Sequence, residues 1–577
     1  MLPLIINLLV AVALLAILLA FGRRVLHVSR IPIPLGVRLP ADLLIGAATL
    51  GLAVTTLALT GALSRWSLVA TLGVAAAIGR WRRPRGWRWL VAPGSAALVV
   101  LPLALAPPVF YDALVYHLGL PWQALLEGGF RPHAETVFSA FPPLAQLLAL
   151  PPLAFDLDRV PALLHLVAFV LAGAGTSALA TQLGAPRPHA ALAGACVPLL
   201  PSHVLLAAVP GADGWMLAPL AAGYALALSK RPHPSWAPLV GALVGAAMAA
   251  RLQAIPWALG AAVLIAIRFP RRIRSVAMYG FGALAASAPW WLKNLILLGQ
   301  PVAPLGFRRE GIETLWRDAG TIVFSSPAPL HVVARLCDQV TPLLSFAAPL
   351  ALAAVLAVVQ RRESRHAWAM AAALAGGLAW AATGSLPRFF AMTAVFLLAL
   401  AASPRSGPGR WAATAVLVVL ALTGIARNVG ETASKGGAGI VLEPEAGYTQ
   451  RMLANDPMPA FAAARRLPGD ARVLFVGEPR GFPFPRRFVA PSQHDVSPLR
   501  AHLEGGEVGD ARRWLNQSGF THLLVNHGEL ARLAPGYPVA PYRTPAGARR
   551  WAELLGGLGP PTIDARGVVI YPLSPRN

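Results

Sequence analysis

Charged residues are scarce in this chain, and acidic residues are the scarcest of them. Only 13% of its 577 residues are charged, against about 25% in an ordinary soluble protein. Apolar residues make up 56%, and apolar runs recur from Leu2 to Ile425. Most of these runs are long enough, or nearly so, to cross about 30 Å of hydrocarbon as a helix. The composition excludes an ordinary soluble protein and predicts a polytopic α-helical membrane protein.

Cysteine is almost absent. Cys196 lies within an apolar run and Cys337 lies in a loop. Two such residues provide neither a disulfide framework nor the spacing of a zinc site. The first residues, MLPLIINLLVAVALLAILLAFGRR, also lack the basic start and the small-residue cleavage site of a signal peptide. We expect them to be retained as a membrane span.

The shortage of acids leaves a net charge of +24, from 25 acidic and 49 basic residues. A nucleic-acid-binding surface is one explanation of such a charge. The arginines, however, are spread over short loops between apolar runs, where the positive-inside rule places them. Nucleic acid is therefore not an expected partner. The preference for Arg over Lys, with abundant Ala, Gly and Pro, suggests a bacterial source and hence the inner membrane.

The sequence predicts about fourteen membrane spans with both termini outside the cytoplasm. The candidate spans are residues 3–21, 41–61, 67–79, 90–107, 160–183, 190–209, 215–229, 236–250, 254–267, 275–290, 342–359, 367–384, 389–402 and 411–426. Alternate loops, beginning with 22–40, carry most of the Lys and Arg and a single acid, Glu363. We assign these loops to the cytoplasm. The first outer loop, 108–159, and residues 428–577 are then extracytoplasmic.

One further segment, FSAFPPLAQLLALPPLAF at 138–155, is apolar enough to be a span. A span here would invert every later loop and place RFPRRIR, residues 268–274, outside, against the positive-inside rule. We predict a non-spanning helix at the membrane surface instead, broken by its two Pro-Pro pairs.

Three acids in the predicted outer loops are candidate site residues. Asp112 lies in FYDALVYHLGLPW, directly after an apolar run, Glu135 follows in the same loop, and Asp213 lies in VPGADGWM. A carboxylate at a low-dielectric boundary is costly unless it is used or paired. For Asp213 a helix cap is the alternative. For Glu135 and the nearby His133 the alternative is a plain solvated loop.

These residues, with others downstream, resemble the GT-C membrane glycosyltransferases. The matching stretches are YDALVYHL at 111–118, FPPL at 141–144, APWWLKNL at 288–295, GQPVAP at 299–304, LPRFF at 386–390, and the tail motifs ARVLFVGEPRGF and SGFTHLLVNHGEL. The resemblance is to the bacterial branch related to protein O-mannosyltransferases and the lipid A aminoarabinose transferase, in glycosyltransferase family 39. It covers residues 90–577. Residues 1–89 match nothing in this family and form an N-terminal transmembrane extension, and 90–427 would be the catalytic module.

The resemblance implies a glycosyltransferase that uses a sugar on a polyprenyl phosphate. Its acceptor, a glycan, lipid or protein hydroxyl, would attack with inversion at the outer membrane face. By match, Asp112 would be the general base or would position the acceptor, and Asp213 would be the second acid. Oligosaccharyltransferase relatives hold a divalent metal with such acids. Because the acids here are single, without an Asp-x-Asp pair, the metal is left open and no cofactor is assigned.

A phosphate leaving group requires a nearby cation. Arg388 in LPRFF, Arg251 in MAARLQAIPW and Lys293 beside a Trp pair lie at predicted span ends on the outer side. Arginine suits phosphate oxygens best, whereas the alternative for each residue is contact with lipid headgroups. His117 lies five residues after Asp112, a spacing that does not share one face of an α-helix, so we do not assign it to the site.

The tail alternates strand, helix and strand patterns, which predicts a small α/β domain at 428–577 that begins with a Gly-rich linker. A nucleotide loop at Gly477 and Gly481 is disfavoured, because the G-x-G-x-x-G spacing is absent. Recognition of an acceptor, or a lid over the site, fits better.

For the whole chain, the rival functions are a transporter or flippase of lipid-linked glycans, a surface-glycan polymerase or ligase, and a non-catalytic assembly protein. The sugar, the acceptor and the lipid chain length stay open.

Overall fold

The computed structural model describes residues 2–132, 135–200, 205–306, 315, 347–383, 386–404 and 407–573. The first part is helical. Its α-helices are α1 Leu2–Val28, α2 Leu35–Leu59, α3 Arg65–Ile78, α4 Val91–Ala97, α5 Leu101–Ala104, α6 Gly119–Glu127, α7 Leu144–Leu153, α8 Val160–Gln182, α9 Arg187–Cys196, α10 Asp213–Ala227, α11 Trp236–Ala250, α12 Ala254–Arg268 and α13 Arg272–Leu298. Four further long helices are Ala347–Arg361, Ser364–Thr383, Ala391–Ala401 and Pro408–Ser434.

Four helices of the described residues are long and apolar enough to cross a membrane. They are α1, α2, α8 and Pro408–Ser434. Other apolar helices, such as α11 and α12, are shorter, and the candidate span 90–107 is divided between α4 and α5. The chain is thus a mostly helical membrane protein, whereas the fourteen predicted spans stay a prediction.

Helix α8 lies at the centre of the bundle, in contact with α1, α2, α9 and α10, and α11 packs along α13. Small residues allow the close contacts: Gly173 of α8 meets Gly194 of α9, and Gly241 of α11 meets the backbone of α13 at Tyr279. Such small-residue contacts are typical of helices packed in membranes. Because α2 also contacts α7, α10 and α13, the N-terminal extension is part of the bundle.

The segment at 138–155 has the predicted form. A short 3₁₀ helix, Val137–Ala140, precedes the ten-residue helix α7, which begins directly after Pro142-Pro143 and has Pro151-Pro152 in its last turn. Ten residues extend about 15 Å, half of what a span needs. The helix is short, and its predicted position at the membrane surface stays a prediction.

The C-terminal part contains a five-stranded sheet. Its strands are β1 Arg472–Val476, β2 Arg487–Val489, β3 His522–Asn526, β4 Ile563–Ala565 and β5 Val568–Pro572. The strand order is β2-β1-β3-β5-β4. Strands β2, β1 and β3 are parallel to one another, and β5 runs antiparallel to both of its neighbours, β3 and β4. The helices of this part are Glu445–Met452, Met458–Ala463, Arg500–Gly505, Val508–Gln517, His527–Leu533 and Pro545–Gly556. The predicted α/β domain is confirmed as a fold.

The start of this domain differs in detail from the predicted linker at 428–447. The helix that begins at Pro408 runs to Ser434, and a 3₁₀ turn, Gly437–Val441, follows it. Helical structure continues past residue 427 because the polar residues after it, such as Asn428, bond back within the helix. The exact domain boundaries therefore stay a prediction.

Candidate functional site

The stretch around Asp112 forms a turn of π-helix. Residues Ala113–His117 have this conformation, and the Leu118 N–H donates to the Ala113 carbonyl, five residues back, at 2.8 Å. Single π-turns are rare and occur often at functional sites. The wider turn brings residues five apart onto one side, so Asp112 and His117 line the same cavity. The α-helical spacing argument that left His117 out of the site is wrong for this reason.

Asp112 is held by one arginine and one tyrosine. Arg388, from the 3₁₀ helix Pro387–Phe390, donates from Nη1 to Asp112 Oδ2 at 3.0 Å, and the Tyr116 hydroxyl donates to the same oxygen at 3.2 Å. The Asp112 and Arg388 side chains keep 21% and 23% of their exposure. Both bonds use Oδ2, which leaves Oδ1 available to a substrate.

A second acid–arginine pair lies beside the first. Asp213, the first residue of α10, forms an ion pair with Arg251, which directly follows α11 in extended conformation. The Phe389 ring joins the two pairs, because the Cζ atoms of Arg251 and Arg388 each lie 5.2 Å from its centroid. The structure thus brings Asp112, Asp213, Arg251 and Arg388 together.

The cavity between these groups has a volume of about 250 Å³. One wall comes from the outer loop and includes Tyr116, His117 and Phe138, and the turn after α11 supplies Arg251. The opposite wall belongs to the α/β domain and includes Gln493, His494 and Tyr537. The sequence interpretation missed these three residues, although the polar stretch Ser492–Asp495 is a signal that could have drawn attention to them.

The α/β domain is fixed to the outer loop by hydrogen bonds as well as by this wall. Trp122 Nε1 donates to the Phe484 carbonyl at 2.6 Å, and Gln123 Nε2 donates to the Phe488 carbonyl at 2.9 Å. The Val137 N–H donates to Asp495 Oδ2 at 3.0 Å. These contacts hold His494 over the cavity, where its ring lies 5.8 Å from Phe138 and 5.7 Å from Tyr537.

A buried polar network lies on the other side of this loop, at the carboxyl ends of β1 and β3. Glu478 accepts from the Arg480 backbone N–H, from Arg480 Nε and Nη2, and from Asn526 Nδ2, at distances of 2.7–2.9 Å. Glu529 accepts from Arg532 Nε at 2.8 Å. The Arg480 and Arg532 guanidiniums face the Tyr111 ring at 5.9 and 5.8 Å. This network of Glu478, Arg480 and Arg532 thus supports the loop that carries Asp112.

Burial keeps two groups in the cavity neutral. Burial, and after it the negative charge of Asp112, raises the pKa of Tyr116 far above its usual value. Burial lowers the pKa of His117 to about 3, although Asp112 opposes this shift. At neutral pH, Tyr116 is therefore a hydrogen-bond donor to Asp112, and His117 is an uncharged imidazole.

The remaining predicted residues lie outside this cavity. Lys293 of α13 donates from Nζ to the Ser139 carbonyl and, at 2.7 Å, to Asn294 Oδ1, while Asn294 donates to the Ala140 carbonyl at 2.8 Å. This pair fastens the 3₁₀ turn of the outer loop to α13. Glu135 lies half-buried just before that turn. His133 and Cys337 lie outside the described residues.

A divalent metal is left open at the site. Among the residues with described positions, no three His, Cys, Asp or Glu side chains come together in a way that could hold a metal ion. Asp112 and Asp213 are each bound to an arginine. No chemical step is therefore assigned to a metal.

Comparison with known proteins identifies solved structures of similar fold. No protein-family model and no curated protein matches the chain. ArnT from Cupriavidus metallidurans bound to undecaprenyl phosphate superposes with a TM-score of 0.52 and 16% identity, over 84% of this chain and 98% of ArnT. ArnT in the apo state gives the same TM-score and identity, over 84% and 97%. The Archaeoglobus fulgidus oligosaccharyltransferase with Zn and sulfate has a TM-score of 0.44 and 13% identity, over 78% and 70%.

At 16% identity the likeness to ArnT concerns the fold, and it extends over nearly all of that protein. The match also covers most of the present chain. The chain therefore has the fold of the GT-C membrane glycosyltransferases, the family that its sequence motifs resemble.

Proposed function

We propose that the protein transfers a sugar from a polyprenyl-phosphate donor to an acceptor hydroxyl, with inversion, at the extracytoplasmic face of the bacterial inner membrane. The observation that carries this proposal is one cavity of about 250 Å³ lined by Asp112, Arg251 and Arg388. Asp112 pairs with Arg388, and Arg251 pairs with the buried Asp213. That volume is close to the lower end of small-molecule sites and suits a single sugar ring. ArnT, of the same fold, has been crystallised with undecaprenyl phosphate, which favours a donor of that class.

Arg388 and Arg251 are proposed to bind the donor phosphate. Their guanidiniums both lie beside the Phe389 ring, and both residues line the cavity, so both are available to a phosphate there. Arginine forks match phosphate oxygens, and their charge stabilises the phosphate as it leaves. Lys293 is a weaker candidate for this role, because its ammonium is already bound to the Ser139 carbonyl and to Asn294.

Asp112 is proposed to act as the general base. When the donor phosphate binds Arg388, it competes with Asp112 for the guanidinium and releases the carboxylate toward the cavity. The acceptor oxygen attacks the anomeric carbon from the face opposite the phosphate, and the bond from that carbon to the phosphate oxygen breaks. The acceptor proton passes to Asp112, and polyprenyl phosphate leaves. The same negative charge stabilises an oxocarbenium-like transition state.

Asp213 is proposed to position Arg251 rather than to accept a proton, because their ion pair is almost fully buried. The α/β domain is proposed to select the acceptor, since Gln493, His494 and Tyr537 form the wall away from the helices. The acceptor is proposed to be the glycan, lipid or protein that enters the cavity along that wall. Glu135 is proposed as an additional contact near the entrance.

The experiment that tests the proposal uses membranes that contain the full chain and a labelled polyprenyl-phosphate sugar. Asp112→Asn is expected to lower transfer by about 10²–10⁴-fold, because the base is removed while the shape is kept. Asp156→Asn is the matched control: this residue is exposed in the same loop, and its φ of 57° is a conformation that Asn adopts readily. Undiminished transfer by Asp112→Asn would sink the assigned role.

The same membranes distinguish the rival functions. A transporter or flippase moves the labelled lipid between leaflets and leaves the sugar on its phosphate, whereas a transferase releases polyprenyl phosphate. A polymerase or ligase would require an oligosaccharide donor and would ignore the monosaccharide. Movement of the intact donor without release of polyprenyl phosphate would favour the transport alternative.

A further inference from the structure

A second cavity, of about 650 Å³, lies between α1, α2 and the loop that follows α3. Its wall contains six arginines together with His27 and a single acid, Asp42. The arginines are Arg23, Arg38, Arg80, Arg82, Arg83 and Arg85. We refer to it as the arginine cavity. It belongs to the N-terminal extension, for which neither the sequence resemblance nor the proposed reaction supplies a role.

The acid in this cavity is already paired with two arginines. Asp42 Oδ2 accepts from Arg23 Nε at 3.0 Å and from Arg38 Nε at 3.3 Å. The four arginines of the following loop face the cavity without a further carboxylate in its wall. Like charges held this close repel one another unless an anion lies between them. The cavity therefore carries an excess of positive charge, which attracts an anion.

Arg23 is a buried part of the cavity wall. Its side chain is only 8% exposed, and its Nε and Nη1 are bound to Asp42 and to the Arg82 carbonyl. The third nitrogen, Nη2, is buried and has no hydrogen-bond partner among the described residues. Buried donors without partners are uncommon and unfavourable. Arg23 therefore adds a positive charge with an unsatisfied donor to the wall of the cavity.

The arginine cavity lies at the end of the bundle opposite the Asp112 cavity. Arg38 and Asp42 belong to the first two turns of α2, whereas the last turns of α2 contact the outer loop through the Phe130 N–H and the Ala58 carbonyl, 2.8 Å apart. A helix of 25 residues separates these ends by about 37 Å. The arginine cavity is thus a separate site, on the side that the sequence predicts to be cytoplasmic.

An apolar groove continues from the arginine cavity. It has a volume of about 820 Å³ and shares Leu35, Pro84 and Arg85 with that cavity. Trp87, Trp89 and Ala92 form the rest of its apolar lining, and Arg88 and Arg187 also line it. Tryptophan is enriched where headgroups meet acyl chains. A ligand that fills both spaces carries an anionic group at one end and hydrocarbon at the other.

We infer that the arginine cavity binds the phosphate headgroup of an anionic phospholipid. The acyl chains of this lipid would lie in the adjoining groove lined by Trp87 and Trp89. Basic pockets between membrane helices on the cytoplasmic side bind such headgroups. Arginine forks provide bidentate, charge-assisted hydrogen bonds to phosphate. The attached groove favours a lipid over free phosphate, because free phosphate would leave the groove unused.

The test measures lipid binding to the full-length, detergent-purified protein by native mass spectrometry. Phosphatidylglycerol is titrated against phosphatidylcholine in the wild type and in the triple variant Arg80→Gln, Arg83→Gln, Arg85→Gln. The control variant is Arg271→Gln, Arg272→Gln, Arg274→Gln, which removes three exposed arginines from another loop predicted to be cytoplasmic. We expect the first triple variant to bind phosphatidylglycerol at least about tenfold more weakly and the control to bind it as the wild type does.

The outcomes that overturn the inference are distinct. Equal binding of the two lipids by the wild type, or equal phosphatidylglycerol affinity in both triple variants, removes the arginine cavity as a lipid site. Displacement of phosphatidylglycerol by inorganic phosphate at equal concentration assigns the site to a free anion instead. If the triple variant fails to fold, Arg83→Gln alone, an exposed side chain, is expected to weaken phosphatidylglycerol binding by about threefold.

Discussion

Two carboxylate–arginine pairs lie on either side of the outer loop and differ in how completely they are satisfied. On one side, Glu478 and Arg480 are buried, with side-chain exposures of 0% and 3%. Both Glu478 oxygens accept hydrogen bonds, and Arg480 also donates to the Ala454 and Asn455 carbonyls at 3.0 and 2.9 Å. On the other side, Asp112 uses one oxygen for both of its bonds and keeps contact with an open cavity.

The difference separates a pair that is closed to ligands from the pair for which we propose a function. A buried pair with every donor and acceptor used has nothing left for a ligand, and its removal affects folding. A pair with an unused oxygen at a cavity can exchange its partner for a substrate. The two pairs are connected through Tyr111 and Asp112, which are neighbours in sequence and face opposite sides. The buried network therefore fixes the position of the loop on which the exposed pair acts.

The largest expected effect is that of Arg480→Met on stability. This change leaves Glu478 and Glu529 buried without their shared cation, which is expected to cost about 3–5 kcal/mol in the free energy of unfolding. Denaturant unfolding of the purified protein measures it. Arg513→Met is the control, because that arginine is exposed and its pair with Asp510 is expected to contribute nothing measurable. A stable Arg480→Met protein would break the comparison.

The next effect is that of Arg388→Ala on catalysis. Loss of this guanidinium is expected to lower kcat/KM for the polyprenyl-phosphate donor by about 10²–10³-fold, with a higher donor KM and little change in stability. Steady-state kinetics with the labelled donor measure it, and Arg131→Ala, a change at an exposed residue of the outer loop, serves as the control. An unchanged donor KM would remove Arg388 from the site.

The smallest effect concerns the pH dependence of stability at His117. Burial lowers the pKa of His117 to about 3 in the folded protein, whereas the unfolded chain binds this proton at about pH 6.5. The contribution of the neutral His117 ring to the free energy of unfolding is therefore fully present above about pH 6.5. It falls as the pH drops toward 3, by at most about 1.4 kcal/mol per pH unit. His117→Gln is expected to show a smaller fall in Tm between about pH 7 and pH 5. Identical profiles would mean that His117 is not buried as a neutral ring.

The chemistry-bearing residues of the helical part were accessible from the sequence. In a chain with few acids, a carboxylate such as Asp112 at a predicted membrane boundary is conspicuous. Arginines such as Arg388 are conspicuous too, because positive charge is disfavoured on the predicted extracytoplasmic side. The structure places these two residues 3.0 Å apart. The direct pairing of Asp213 with Arg251 was not predicted, because sequence spacing does not show which span ends meet.

Other features depended on backbone geometry and on distant contacts. His117 was set aside on an α-helical spacing, and the π-turn at Ala113–His117 reversed that conclusion. Lys293 was a candidate cation on its position alone, but its ammonium reaches the Ser139 carbonyl, 154 positions away. His494 was missed because no local pattern relates a loop of the α/β domain to the outer loop.

The sequence by itself determined that this is a helical membrane protein with an α/β domain after its last long helix, and it identified Asp112, Arg251 and Arg388. Hydropathy, turn residues and charge are properties of short segments, so they can be deduced without knowledge of packing. Only the tertiary structure decided that Asp112 meets Arg388, 276 positions away, and that the α/β domain closes the cavity. The structure alone also brought the arginines of α1, α2 and the loop after α3 around a single acid. These contacts depend on how helices and sheet pack against one another, which no single segment specifies.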